Sequence, residues 1–308
     1  MTTSAHQRVQ PLLQNAISLG SFVHVPVDNV LRVQRLCDGA LKQAQDLNLK
    51  VEESWGESDA QIWAQQLQDV DAALRAARTA LRIMSAGRED KQLYSEDLIR
   101  DCLNLFREVT DCIVVPLTEK VRRYGITKEE KQGSKSGGKD SSKDLFEKLL
   151  PHKKSAQNLF TSFTRLYSVF TSLVASIDLS ESVATALEAI SSTLIFVENA
   201  YTDRDSIVGV QKFDGIRLVA MDMLSQIFLK NPQSRNGIID DVLSQIEKVP
   251  QTKQKARQFK LSDGRSIQPV SALILRLIQT SAGKATDGYE AFLSKVKSKQ
   301  LLNTGGLL

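Results

Sequence analysis

A helical period constrains this chain more than any other feature. From Trp63, apolar residues recur at Leu67, Val70, Leu74, Ala77, Leu81 and Met84, in alternating steps of four and three. Such steps keep every side chain on one stripe of a helix that turns once in 3.6 residues. Ser58 with Gln61 reads as a capping box at the start, and Gly87 suits the far end. A second stripe opens at Ser95 and runs through Ile99, Cys102, Phe106, Val109 and Ile113, with Pro116 expected to stop it. Upstream, Asp28 is placed to cap a helix carrying Val30, Leu31, Cys37 and Leu41.

After Pro151 the pattern returns with Phe160, Phe163, Tyr167, Phe170, Val174 and Ile177. Ser180 opens a helix that closes near "IFVENA", and "DGIRLVAMDMLSQIFLK", "NPQSRNGIIDDVLSQIEKV" and "IQPVSALILRLIQT" follow. Asn231 and Pro232 read as N-cap and first helical residue. Leu293 and Val296 mark a last helix before a loose tail at residues 301–308. No segment alternates with period two, so the expected class is all-α. Helices with a single apolar face bury it by stacking in antiparallel pairs. The expected order is helical repeats over residues 1–126, a loop at 127–144, and further repeats over 145–300. The loop, "TKEEKQGSKSGGKDSSKD", has no large apolar residue, so burial cannot offset its ordering entropy and a disordered surface loop is expected.

Motifs for chemistry are weak. "GSKSGGKD" satisfies the first seven positions of a phosphate-binding loop, but Asp140 stands where a magnesium-binding hydroxyl is needed. The flanking strand and apolar helix are also missing, so the stretch reads as linker. His6, His24 and His152 are isolated from one another and from carboxylates at helical spacing. Cys37, Cys102 and Cys112 form no metal or disulfide pattern and read as thiols of a reducing compartment. No Ser or Cys lies in a nucleophile-elbow context. Asp240 and Asp241 read as a solvated helix face. The expectation is a protein with no catalytic residue, no metal, no cofactor and no small-molecule substrate. No apolar run reaches the roughly 18 residues that cross a bilayer, and no membrane partner is expected.

Charge gives the one strong signal. The chain carries +4 overall, and Thr252 to Arg265 alone holds five bases against Asp263, the same net value. Lys253, Lys255, Arg257, Lys260 and Arg265 are therefore the candidate binding residues. Pro250, Phe259 and Leu261 are their candidate structural anchors, set among them by spacing. A positive field without local neutralisation suits phosphate or an acidic protein surface. No aromatic platform accompanies it, which favours the backbone of double-stranded DNA over single strands.

"FVENA" at Phe196 to Ala200, then "IRLVAMDMLSQIF", "IEKVPQTKQKARQFKL" and "SALILRLIQT", resemble the cohesin loader family, the Nipped-B-like or adherin proteins. Pro250, Lys253, Arg257, Phe259 and Leu261 fall on that family's basic motif, and "ALRIMSAGREDKQLYSEDLIRDCLNLFREVTD" is similar upstream. The resemblance spans roughly Trp55 to Ala282 and is most specific from Ile195 to Ile278. It implies a HEAT-repeat α-solenoid, here a piece from the N-terminal part of the helical body. It also implies a nuclear, chromatin-associated scaffold that loads cohesin, with DNA, the kleisin and the ATPase heads as partners. The alternative is a helical adaptor that grips a kleisin or other peptide in an apolar groove without touching DNA.

Overall fold

The computed structural model describes residues 3–52, 54–121, 141–200, 202–247, 259–260 and 265–283. The chain divides into two compact units, Met1–Met223 and Leu224–Leu308. Among the described residues the structure is helical apart from short turns and one two-stranded hairpin.

In the first unit, α1 (Thr3–Ser18), α2 (Val27–Gln45), α3 (Glu57–Met84) and α4 (Glu96–Val109) follow one another through short connections. After them come α5 (Val115–Glu119), α6 (Ser141–Leu149), α7 (Lys153–Ser176), α8 (Glu181–Phe196) and the start of α9 (Val210–Lys230). The helices flanking the α3–α4 and α7–α8 turns run antiparallel. The Cys102 thiol meets the Ala77 carbonyl across the α3–α4 turn, and the Tyr167 hydroxyl meets Ser191 across the α7–α8 turn. In each case the partners stand nearly equidistant from the turn, as an antiparallel pair requires. Helix α3 is the hub, packing against α1, α2, α4, α6 and α7.

The expected stripes are buried. Trp63, Leu67, Val70, Leu74, Ala77, Leu81 and Met84 all lie inside. The deepest cluster is aromatic. Phe106 of α4 stacks on Phe163 of α7 at 4.4 Å between ring centroids, with Tyr167 and Phe170 tilted against it at 4.9 and 5.3 Å. Burial holds the Tyr167 phenol well above its ordinary pKa, its hydroxyl bonded to Ser191.

Helix ends differ in detail from the sequence expectation. Ser95 caps α4 as expected, its Oγ accepting from the Leu98 N–H at 3.2 Å. Helix α3 begins one residue before Ser58, and the reciprocal bond is made by Asp59, which accepts from the Gly56 N–H at 2.8 Å. Gly87 takes φ +74° just beyond the α3 end, the left-handed conformation that glycine adopts without strain. Asp28 lies in the first turn of α2 rather than at its cap, because Pro26 already fixes the entry. Asn231 ends α9, its N–H donating to the Ile227 carbonyl at 2.8 Å, and α10 starts only at Ser234.

Pro116 does not stop the second stripe. Thr110–Val114 form a π-turn, and the helix continues as α5. A proline lacks the N–H that would close on the carbonyl four residues back and crowds that carbonyl. The wider turn relieves the crowding, and the Cys112 carbonyl accepts instead from the Val51 N–H at 3.3 Å. Helix α6 likewise corrects the loop boundary. It begins at Ser141, inside the segment read as a loop, because Leu145, Phe146 and Leu149 have a core to enter. The rest of that loop, including "GSKSGGKD" up to Asp140, lies outside the described residues, as do Leu293, Val296 and the tail.

The second unit holds the end of α9, α10 (Ser234–Glu247), a helix at residues 269–283, and strands β1 (Phe259–Lys260) and β2 (Ser266–Ile267). The strands pair antiparallel, Phe259 with Ile267 and Lys260 with Ser266. This short hairpin is a minor addition to an all-α fold. Two residues per strand are too few to show a period-two pattern.

Two expectations follow. Phe106→Ala should cost about 3–5 kcal/mol, because a fully buried ring is removed from a close-packed cluster, readable as a shift in the denaturation midpoint of the chain. Cys37 and Cys102 should be inert while the chain is folded. Burial raises Cys37 to about 12 and Cys102 well above its usual value, so the reactive thiolate is scarce at pH 8. Both should be alkylated by a small maleimide only on addition of denaturant.

Candidate functional site

Three surfaces or constellations carry more than packing. The first is the basic segment singled out from the sequence. Of its residues, Pro250, Lys253, Lys255, Arg257 and Leu261 lie outside the described residues. Phe259 and Lys260 form β1, and Arg265 is exposed immediately before β2. The segment thus contains a hairpin in which Lys260 pairs with Ser266, the residue after Arg265.

The second unit also carries an apolar groove of about 430 Å³ between α9, α10 and the helix at residues 269–283. Phe228, Ile239, Leu243, Ile246, Leu277 and Ile278 line it. Leu243 and Ile278 are more than half exposed, at 57% and 59%. Arg235 closes the α9–α10 corner, its Nε donating to the Phe228 carbonyl at 2.7 Å and its guanidinium lying over the Phe228 ring.

The first unit holds a set of arginines that sequence reasoning missed. From Ala73 to Met84 every residue of α3 is buried except Arg75, Arg78 and Arg82, which form a narrow half-buried strip. Their spacing of three and four puts them on one face. On one side stands α1. Its Gln10 amide donates to the Arg75 carbonyl and to Thr79 Oγ1, both at 2.9 Å, and its Gln14 accepts from Arg82 at 3.1 Å. From α7 comes the exposed Arg165, whose charge is felt at Arg78. Asp71 pairs with Arg75 at 2.8 Å. Among the described residues no carboxylate forms an ion pair with Arg78, Arg82 or Arg165. Neither α1 nor α7 contains an acidic residue. Burial first, then repulsion from Arg82, Arg165 and Arg75, lowers Arg78 to about 10, and its buried Nε has no hydrogen-bond partner among the described residues. The signal was present as an Arg-x-x-Arg-x-x-x-Arg spacing on a helix face otherwise apolar or small. A charge sum taken along the chain cannot register it, because α7 supplies the fourth arginine.

The motif stretch "FVENA" followed by "DGIRLV" resolves into a buried constellation of a structural kind. Arg217 of α9 is 2% exposed, and burial pulls its pKa down against the opposing effect of Asp214. Its guanidinium pairs with Asp214 at 2.8 Å, donates to the Val197 carbonyl, and lies 4.7 Å over the Phe213 ring. Asn199, also buried, accepts from the Ala200 N–H at 2.8 Å. The irregular strand after α8 is thus tied to α9 through one planar cation. His24 and His152 have no acidic or cysteine neighbours of metal-binding arrangement, and no cluster of three such ligands occurs among the described residues. Arg217→Ala should cost about 3 kcal/mol, since it removes a buried fork from Asp214 and the Val197 carbonyl. Arg217→Lys should recover little of that loss, because an ammonium cannot span both partners. Thermal denaturation of the two variants measures both outcomes.

No family model matches the chain. Among curated proteins it is 25% identical over 215 residues to the Nipped-B-like protein scc-2 of Caenorhabditis elegans, covering 69% of this chain and 9% of the relative. It is 22% identical over 242 residues to the sister chromatid cohesion protein mis4 of Schizosaccharomyces pombe, covering 79% of this chain and 14% of that protein. Among solved structures it matches the Chaetomium thermophilum cohesin loader SCC2, C-terminal fragment, at 42% identity and a TM-score of 0.81, over 99% of this chain and 22% of that one. The chain therefore spans a small share, 9% and 14%, of the curated relatives named here. The chain belongs to the cohesin loader family.

Proposed function

We propose that this chain takes part in loading cohesin onto chromosomes, as a non-catalytic helical scaffold within a larger loader. The observation that carries this reading is the likeness, over 99% of the chain, to a cohesin loader fragment. Its place of action is then the nucleus, on chromatin. The helices hold a binding surface and contribute no reacting group; the thiols at Cys37 and Cys102 and the Tyr167 phenol are all held in their neutral forms by burial.

The basic segment serves as the DNA contact in this reading. Lys253, Lys255, Arg257, Lys260 and Arg265 neutralise backbone phosphates of a duplex, and Phe259 anchors them through the β1–β2 ladder. Such contacts release counterions and make affinity fall steeply with salt, largely without regard to sequence. Lys253→Glu/Arg257→Glu should weaken binding to a labelled random-sequence duplex. It should also lower the slope of log affinity against log salt by about two, one for each phosphate left without its cation. Equal affinity and slope in the variant and the parent chain would remove the segment from the DNA contact.

A second reading has its own support. The apolar groove of the second unit, with Leu243 and Ile278 half open to solvent, suits a peptide of the cohesin kleisin or another subunit laid along it. Leu243→Asp would then abolish peptide capture while leaving duplex binding as it is.

A further inference from the structure

We propose that the arginine slot of α3 is a docking site for an acidic peptide segment of a partner protein, whose carboxylates pair with Arg78, Arg82 and Arg165. The inference goes beyond cohesin loading and does not depend on it, since it rests on the first unit's own geometry.

Half-burying three guanidiniums side by side is unfavourable unless something compensates them. Here the compensation stops at Arg75, which has Asp71. Arg78 and Arg82 continue the strip with no ion-pair partner among the described residues, and α1 and α7, whose residues reach the strip, bring no acid. The direction of the Arg78 shift agrees: folding opposes its charge, the reverse of what a stabilising internal ion pair does. Long apolar stems explain why arginines can cover a core helix, but uncharged Gln or Met would cover it as well without the repulsion. The charge is therefore what the site retains, and an anion is what it lacks.

The shape of the slot selects the kind of anion. Apart from Arg75 and Arg82, every neighbour along the second half of α3 is buried, so Arg78 sits in a recess, and its Nε is closed off from solvent. A phosphate on a stiff duplex approaches as part of a broad cylinder and meets side chains that project outward. A carboxylate on a flexible side chain can enter a recess one helix wide, where the planar guanidinium offers it two parallel N–H groups. The Gln10 and Gln14 side chains on the α1 side are already committed, to α3 and to Arg82. The arginines are the groups left to recognise a ligand.

The test uses the full chain and fluorescence anisotropy of a labelled oligoglutamate peptide at low ionic strength. Arg165 is exposed, so Arg165→Ala leaves the fold intact, and Arg78→Gln keeps the stem that covers the core. Each should weaken peptide binding about tenfold, the loss expected when one charge-assisted hydrogen bond is removed. Arg78→Gln should also leave the melting temperature unchanged or raise it, because it removes repulsion from the free chain. A clear fall in melting temperature would show that Arg78 serves the fold and would overturn the proposal. Unchanged peptide affinity in both variants would overturn it too. So would a loss of peptide binding in Lys253→Glu/Arg257→Glu alone, which would move the acidic ligand to the basic hairpin. If a random-sequence duplex displaces the peptide and loses affinity in the same two variants, the slot belongs to nucleic acid instead.

Discussion

Helix α3 holds the first unit together because small side chains let its neighbours come close. Ala73, Ala76, Ala77 and Ala80 are all fully buried, and around them α1, α2, α4, α6 and α7 each find a place to pack. Packing at interior density leaves no room for a larger residue where two helices approach one face. The consequence is that from Ala73 to Met84 the helix is enclosed on nearly every side, open only along Arg75, Arg78 and Arg82. The same constraint that builds the core therefore defines the position and the width of the charged slot. Structure and recognition share one helix.

What the molecule does with its ionisable groups fits a scaffold. Burial drives Cys37, Cys102 and Tyr167 toward forms that neither attack nor transfer protons. Arg217 is treated differently: it stays charged inside the protein because Asp214, the Val197 carbonyl and the Phe213 ring surround it. That constellation gives physical content to two of the sequence elements on which the resemblance to the cohesin loaders rests. "FVENA" supplies an irregular carbonyl, and the following helix supplies the cation that satisfies it. A helix cannot offer such a carbonyl from its middle, where each is already bonded within the helix. The motif residues are thus adjacent in space for a backbone reason.

The helices were legible in the sequence because each carries a long stripe with period 3.6, as from Trp63 to Met84 and from Phe160 to Val174. Helix ends were less so. The choice between Ser58 and Gly56 as a cap turns on a single hydrogen bond, which sequence spacing alone does not decide. Pro116 misled because the remedy for its missing N–H lies far away in the chain, at Val51. The start of α6 at Ser141 depended on a core for Phe146 to enter, which a composition argument over residues 127–144 does not include. The basic segment was visible as a local charge excess. The arginine slot left only a spacing of three and four on the apolar face of α3, and its fourth arginine, from α7, is brought there by packing alone.

The π-turn at Thr110–Val114 has a consequence for how this stretch tolerates change. One residue corresponds to about 100° of helical rotation, and the turn absorbs one more residue than an α-helix would. Leu117 and Val121 reach the core only with that extra rotation included. A single-residue deletion there would leave the length, charge and hydrophobicity of the helix almost unaltered. It would nevertheless swing both side chains a quarter-turn or more away from their places. In a lineage of such chains, substitutions within the turn would accumulate readily, while insertions and deletions of one residue would be purged, giving a segment variable in letters and fixed in count.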